Sequence, residues 1–540
     1  MHSDAKSLIL RGNGLFSAKR PLDSRNQELA NHFYPERADF TTVRSLGADW
    51  ADHLMTGYPS LVRRDLGHAI GSMLRPRSKE WMHMAKARGH EDTGHDAAKW
   101  LEWATGLQRR AMYDRISGFE RATKEGDHDF ACFGGAVIST EVNLRDSALL
   151  YRCWHLRDTA WSEDQYGQIG QIHRNWEPTA ADLCNFFPKT IHDKVRELKE
   201  KEPGAKVNVR HVVLRSDDYD NKFRQPWTSV YIDTDNQHVL EERGSWTSIY
   251  TIPRWATLAG SQYPYSPAAL IALPDARLIQ AMTLTLLDVG ERIASPPMIG
   301  VSEAIRGDLQ MFAGGFTSVD AEYDERLGEV LRPLTQDKSG LPFGQDMLDR
   351  TSGMIREAFF LNTLSMPPAG GPDMTAYEVG QRVQEYIRQA LPLFEPMEAE
   401  YNGALCDITF ETLRHSGAFG APETIPEELR GQKIQFRFES PLNEMVERQK
   451  GQKFLEAKAM IAEAMAVDPQ AHITLNTRES LRDVLQGIGV PAKWMRSAEE
   501  VEAMANAANE QAAEQASMQQ LQSGADVAAT LSQTAQAFNV

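Results

Sequence analysis

Lysine and arginine run out before the chain does: beyond Arg496 the sequence has neither. Over all 540 residues, 58 Lys and Arg stand against 75 Asp and Glu, a formal net charge of −17. Gripping DNA without regard to sequence takes many cations set against phosphates. The chain as a whole is therefore excluded as a DNA-gripping protein, although local basic patches stay open. Cysteine is scarce too. Cys132, Cys153, Cys184 and Cys406 form no C-x-x-C and match neither a zinc ribbon nor a dense disulfide framework. Four reduced, mostly buried thiols in a reducing compartment are expected. No unbroken apolar run of about 18 residues occurs, so no membrane span is expected. The opening MHSDAKSLILRGNG has neither a long apolar core nor a small-residue cleavage site, so a signal peptide is not expected.

Catalytic motifs are missing as well. There is no G-x-x-x-x-G-K-[ST]; GLPFGQD has the glycines but no lysine to reach a phosphate. Neither G-x-S-x-G nor H-E-x-x-H appears. HEDTGH places His90 and His95 beside carboxylates, but a solvated loop feeding a helix explains it better than a metal site. EGDHDF reads as a turn. The tryptophans are scattered without interleaved basic residues, which suits core or subunit contacts rather than base stacking. No catalytic residue, metal ligand or cofactor site is expected.

What is present is ordinary globular material, 41% hydrophobic and 25% charged, enough for a sizeable core and two to four domains of roughly 100–200 residues. Residues 1–125 read as helical: Ser24 to Ala30, Thr41 to Leu54, a stretch carrying Leu66, Ile70 and Leu74 on one face, and Asp96 to Lys124. From Phe130 to about Trp255 the period changes to two. GGAVISTEVN, LLYRCWHLR and YGQIGQIHRNW are strand-like, and WTSVYIDTDNQHVLEERG is a hairpin turning at Asp233 to Asn236. A charged helix, Ile191 to Lys201, interrupts them. Helices return at Ser266, with Pro274 as a break and Leu278, Met282, Leu286, Val289 and Ile293 as one stripe. A mixed, turn-rich stretch follows, with a short β pattern near Phe316 to Val319, then a helix from Gln345 to about Phe360. Thr375 and Glu378 form a capping box opening a helix that runs to about His415, bent by Pro392 and Pro396. KIQFRFESPL is a strand, and helices follow, with capping-box spacing at Asn476–Glu479 and Ser497–Glu500. The class is mainly α with β (α+β).

The order of these elements resembles the portal, or head-to-tail connector, proteins of tailed bacteriophages, specifically the short-tailed podovirus type. The resemblance is carried by LRPRSKEWMHM, YRCWHLRDTAW with YGQIGQIHRNW, IPRWATLAGSQYPYSPAALIALPDARLIQAM, GPDMTAYEVGQRVQE, FESPLNEMVERQ and LRDVLQGIGVPAKWMRSAEE, in that order. It implies a portal fold of wing, stem, clip and crown arranged as a ring of about twelve copies. By position, 1–265 would be wing, 266–294 the first stem helix, 295–344 the clip and 345–360 the second stem helix. Residues 361–374 would be the tunnel loop, 375–441 the long kinked helix and a wing strand, and 442–540 the helical crown and C-terminal tail. The channel loop would comprise Leu361, Asn362, Thr363, Leu364, Ser365, Met366, Pro367, Pro368, Ala369, Gly370 and Gly371. The stem would bring Asp275, Asp288, Glu291, Arg292, Asp346, Arg350 and Arg356 to the channel. The implied partners are double-stranded DNA passing through, the terminase large subunit, the tail adaptor, and the scaffolding and major capsid proteins. The implied place is the virion's portal vertex, assembled in the host cytoplasm.

The loop's chemistry suits that role. Residues 361–374 contain no Lys or Arg. Affinity through phosphates scales with the number neutralised, so such a loop touches DNA without holding it. Two other classes stay open: a helical structural or assembly protein of the virion tail without a DNA channel, and a hydrolase whose site carries a strongly shifted buried group.

Overall fold

The computed structural model describes residues 4–45, 47–77, 79–87, 94–143, 145–219, 222–300, 305–306, 318–319, 331–333, 340–364, 388–389, 397–438, 441–465, 476–487, 490, 494–496 and 500–508, with a few positions to 515. Two units result. The first comprises Met1–Lys79 with Arg110–Ala418, the second Glu80–Arg109 with Phe419–Val540. Helix and strand are mixed in the chain, as an α+β sequence predicts.

The first unit is built on a five-stranded antiparallel sheet in the order Thr159–Glu163, Ile169–Trp176, Val209–Arg215, Trp227–Asp233, His238–Ser245. Alternation assigns its faces. Val212, Leu214, Val230 and Ile232 pack with Ala5, Leu8 and Tyr219, so the long first helix, Ala5–Phe33, covers one side. Val209, on the opposite face, packs with Ala180, Leu183, Val195, Val207 and Leu240, under the helices Ala180–Phe186 and Asp193–Lys201. The expected hairpin turn is there: Asp233 Oδ1 accepts the amides of Asp235 and Asn236, both at 3.1 Å. Gly12 lets the first helix lie close on the sheet, since a Cβ there would stand 2.7 Å from His173 Nδ1. A three-stranded sheet, Ala148–Trp154, Val137–Asn143, Tyr250–Thr251, completes the β part.

Four sequence expectations need correction here; one is EGDHDF, read as a turn, which lies inside the helix Phe119–Phe133. Ser24 to Ala30 is only part of a 29-residue helix that carries Pro21 inside it. The buried Lys19 ammonium donates to the carbonyls of Leu156 and of Thr159 (2.8 Å) and pairs with Asp23, so tertiary contacts hold the helix across the proline. The described residues of Thr41 to Leu54 are not helical. The Gln27 carboxamide takes the amides of Phe40 (2.8 Å) and Thr41 (3.0 Å), fixing an irregular path where helix propensity has no tertiary support. Asp96 to Lys124 is two helices, His95–Met112 and Phe119–Phe133. Between them Ser117 Oγ donates to the Met112 carbonyl, and Gly118 turns left-handed at φ +66°.

In the second unit, Met82–Lys86 pairs antiparallel with Ile434–Phe438, Met84 opposite Phe436. Trp81 stacks near Phe438, ring centres 6.2 Å apart, and Trp100 and Trp103 both approach Phe419. Glu428 accepts the amide of Gly94 (3.0 Å) at the start of the helix His95–Met112. Helices Pro441–Ala464 and Thr477–Gly487 follow. The cap predicted at Asn476 is formed: its Oδ1 accepts the Glu479 amide (3.3 Å), and its Nδ2 donates to Glu479 (2.7 Å). The residues 497–499 of the other predicted cap lie outside the described residues. All four cysteines are free thiols, three of them buried.

Candidate channel helices and loop

The first candidate helix begins with a π turn, Ala268–Ala272, and continues as Leu273–Ala294. Its start is pinned to the helix Phe119–Phe133. Ser266 Oγ donates to the Cys132 carbonyl (2.6 Å) and accepts the Ala269 amide (3.1 Å). Gly134, at φ +79°, lets the chain at Tyr265 pass where a Cβ would stand 2.5 Å from the Tyr265 carbonyl carbon. Pro274, expected to break the helix, does not. A proline ring clashes with the carbonyl four residues back in a regular helix. Here that stretch is the π turn, whose hydrogen bonds span one residue more.

Along this helix Ala276, Ile279 and Gln280 are buried. Gln280 holds the segment 55–56: its Oε1 accepts the amides of Met55 (2.7 Å) and Thr56 (3.0 Å), and its Nε2 donates to the Thr56 carbonyl (2.8 Å). Of the predicted stripe, Met282, Leu286, Val289 and Ile293 are half-buried, while Leu278 is exposed. The second candidate helix, Gly340–Ala358, approaches at Gly344, where a Cβ would stand 2.7 Å from Leu286 Cδ2. Away from it, Leu278, Leu284 and Leu287 are 40–53% exposed. The whole stretch Ala268–Ala294 is long and apolar enough to cross a membrane by length and composition. That differs from the reading of unbroken runs because Asp275 and Arg277 interrupt the run, while the apolar residues around them keep the mean hydropathy at 1.4.

The predicted stem residues lie on these two helices. Asp275 is half-buried; Asp288, Glu291, Arg292, Asp346, Arg350 and Arg356 are exposed. Arg350 pairs with Asp346 one turn away at 2.9 Å, and Arg356 Nε donates to Asn362 Oδ1 (3.1 Å). The loop's first four residues, Leu361–Leu364, are a helical turn following Phe360 at φ +58°. Leu361 and Leu364 are buried, Thr363 is half-buried and Asn362 exposed. Phe359 beside them packs on Phe33, centroids 5.4 Å apart. Ser365, Met366, Pro367, Pro368, Ala369, Gly370 and Gly371 lie outside the described residues, as do Thr375, Glu378, Pro392 and Pro396. Of 301–339 only two short ladders are described: Ile305–Arg306 with Ser318–Val319, and Leu331–Pro333 with Met298–Gly300. Among the described residues no His, Cys, Asp and Glu cluster could hold a metal.

The returning helix is described from Met397. Its described part holds a second π turn, Glu398–Gly403, before Ala404–His415. Arg75 Nη1 donates to Asn402 Oδ1 (2.8 Å), and the same guanidinium pairs with buried Asp127. Burial opposes the Arg75 charge, but Asp127 and the Tyr401 phenol beside it hold its pKa above the ordinary value. Arg254 pairs with both Glu163 and Glu400, the latter at 3.1 Å. Sequence reasoning singled out neither arginine, although both lie in segments that carry the family resemblance.

Comparison with known proteins gives one consistent picture. A family model described as "Bacteriophage head to tail connecting protein" matches residues 5–495. The "Probable portal protein" of Bordetella phage BPP-1 is 23% identical over 450 residues, covering 82% of this chain and 79% of its own length. Among solved structures, a chain of the "Virion of native gene transfer agent (GTA) particle" aligns over 75% of this chain and 86% of its own, at 10% identity. Its TM-score is 0.35, too loose a likeness to carry an argument.

Proposed function

The chain belongs to the bacteriophage head to tail connecting protein family, and from that premise we propose that it is the portal protein: a ring of about twelve copies whose central channel passes the genome into the head and out again. As a family member it is a structural component of the virion, assembled with head and tail parts. The ring, its stoichiometry and the DNA path are the finer reading. The observation that carries them is the helix Leu273–Ala294, which buries Ala276, Ile279 and Gln280 on its own chain and leaves Leu284 and Leu287, neighbours on one face, in solvent. An apolar side of this kind wants a partner. A closed ring of identical chains supplies one through a head-to-tail contact, in which each subunit presents two different faces.

The channel chemistry follows from charge. The exposed carboxylates Asp288 and Glu291 belong to a strongly acidic chain, and residues 361–374 bring no cation. Few phosphate contacts mean a shallow energy profile along the duplex, which suits a conduit through which DNA slides. The helices 266–294 and 345–360 are then the stem, 361–374 the tunnel loop, 295–344 the clip facing motor and tail, 442–540 the crown, and the remainder the wing. The terminase large subunit docks during packaging and the tail adaptor afterwards. Scaffolding and major capsid proteins surround the ring, and assembly takes place in the host cytoplasm.

Sizing and imaging of the purified full chain test this. Twelve chains of 60.6 kDa make a particle of about 0.73 MDa with a hole down its axis. A monomer at every concentration, or an oligomer without a hole, overturns the reading; the second result favours a tail structural protein.

A further inference from the structure

Three consecutive side chains of the second π turn, Glu400, Tyr401 and Asn402, are each taken by a different segment of the same unit. Asn402 is fully buried; its Oδ1 accepts from Arg75 (2.8 Å), and its Nδ2 donates to the Leu74 carbonyl (3.0 Å). Tyr401, equally buried, packs on Phe130 with centroids 5.6 Å apart, its hydroxyl donates to the Thr123 carbonyl (3.4 Å), and the Arg75 guanidinium lies over its ring at 4.6 Å. Glu400 accepts from the Arg254 backbone amide (3.2 Å) and pairs with the Arg254 guanidinium, which also pairs with Glu163 at the end of a sheet strand. The helix thus meets the end of Tyr58–Leu74, the helix Phe119–Phe133 and the sheet within one turn. In an α-helix successive residues step about 100° round the axis, so three in a row spread over more than half the circumference. A π turn holds more residues per turn, and its smaller step keeps Tyr401 and Asn402 together on the buried side, with part-exposed Glu400 at its rim.

We propose that this turn is a clamp that fixes the rotation and height of the helix Ala404–His415 against the elements of its own unit. Three observations support a clamp over a passive irregularity. Every polar group on the three side chains named above is engaged. The anchors come from separate elements, so rotation of the turn must break several contacts together. Gly71 and Gly126 allow the close packing: a Cβ at Gly71 would stand 2.9 Å from Asp127 Oδ2, and one at Gly126 would stand 2.8 Å from the Tyr401 hydroxyl. The clamp is a property of the single chain. Only its use, holding the return helix steady behind a loop that DNA pushes, rests on the portal reading.

Hydrogen exchange on the intact full-length protein tests it, read over 398–415 with the hairpin Trp227–Ser245 as internal reference. Glu400→Gln keeps shape and length at a part-exposed position and removes the ion pair; exchange over 398–404 should rise about threefold with the hairpin unchanged. Asn402→Ala leaves the buried Arg75 short of an acceptor and should raise exchange over 398–415 by tenfold or more. If Asn402→Ala does not fold, Glu400→Gln and Arg254→Met decide. Unchanged exchange over 398–404, or equal acceleration in helix and hairpin, overturns the clamp. None of these readouts needs a ring, so failure here is distinguishable from failure of the portal reading.

Discussion

The five-stranded sheet and the helix Leu273–Ala294 are both rich in large apolar residues, yet they dispose of them differently. In the sheet, Val212, Leu214, Val230 and Ile232 are at most 1% exposed, covered by the chain's own first helix. On the helix, Leu278, Leu284 and Leu287 face solvent. The sheet is covered within one chain, whereas the helix leaves large apolar side chains uncovered by its own chain. The same hydrophobic driving force therefore stabilises the subunit in one place and, on our reading, the assembly in the other.

That contrast can be broken by substitution. The largest loss of subunit stability is expected at Asp127→Ala, which strands the buried Arg75 guanidinium and should cost about 4 kcal/mol, seen in denaturant melts. Leu214→Ala in the sheet core should cost about 3 kcal/mol; a loss below about 1 kcal/mol would mean that the sheet is not a self-contained core. Acid should act on the same region. His173 is fully buried and its pKa is pushed by burial, with Arg210 and Arg11 nearby, down to about 3. The unfolded chain takes up this proton first, so stability is intact above about pH 6.5 and falls as pH drops towards 3, by about 2 kcal/mol at pH 5. Melting temperatures across that window should show the slope, and His173→Gln should reduce it, with His211 and His128, also held low chiefly by burial, supplying the remainder. The smallest change in subunit stability is expected on the helix. Leu278→Ser, Leu284→Ser and Leu287→Ser together should move it by less than about 1 kcal/mol. The same triple variant should abolish the large particle in sizing experiments. A triple variant that unfolds like Leu214→Ala would place these leucines in a subunit core and dissolve the comparison.

Much of the local structure was legible in the residues. Alternation in the hairpin from Trp227 to Gly244, the turn at Asp233, the Asn476 cap and both long candidate helices are short-range facts, decided within a few residues by sterics and by nearby donors and acceptors. The helix ends were less legible. The Asp96 to Lys124 pattern carries apolar residues across Ser117-Gly118, and periodicity alone does not register a capping hydroxyl. The candidate site divides the same way. The helices that carry the candidate stem charges were legible from their period, but the anchoring arginines were missed, since Arg75 and Arg254 look like any surface cation until Asp127, Asn402 and Glu400 are brought to them.

By itself, then, the sequence determined the α+β class, the hairpin, the candidate helices and the weak cationic character of the loop. Each depends on residues close together in the chain or on simple sums of charge. Only the tertiary structure decided that Met82–Lys86 pairs with Ile434–Phe438, that the described residues of Thr41 to Leu54 are not helical, that Pro274 does not end a helix, and that π turns stand at Ala268–Ala272 and Glu398–Gly403. These outcomes depend on groups tens to hundreds of residues away, whose burial and hydrogen bonds outweigh local preferences worth only a fraction of a kcal/mol per residue, about 0.7 at most for ordinary side chains.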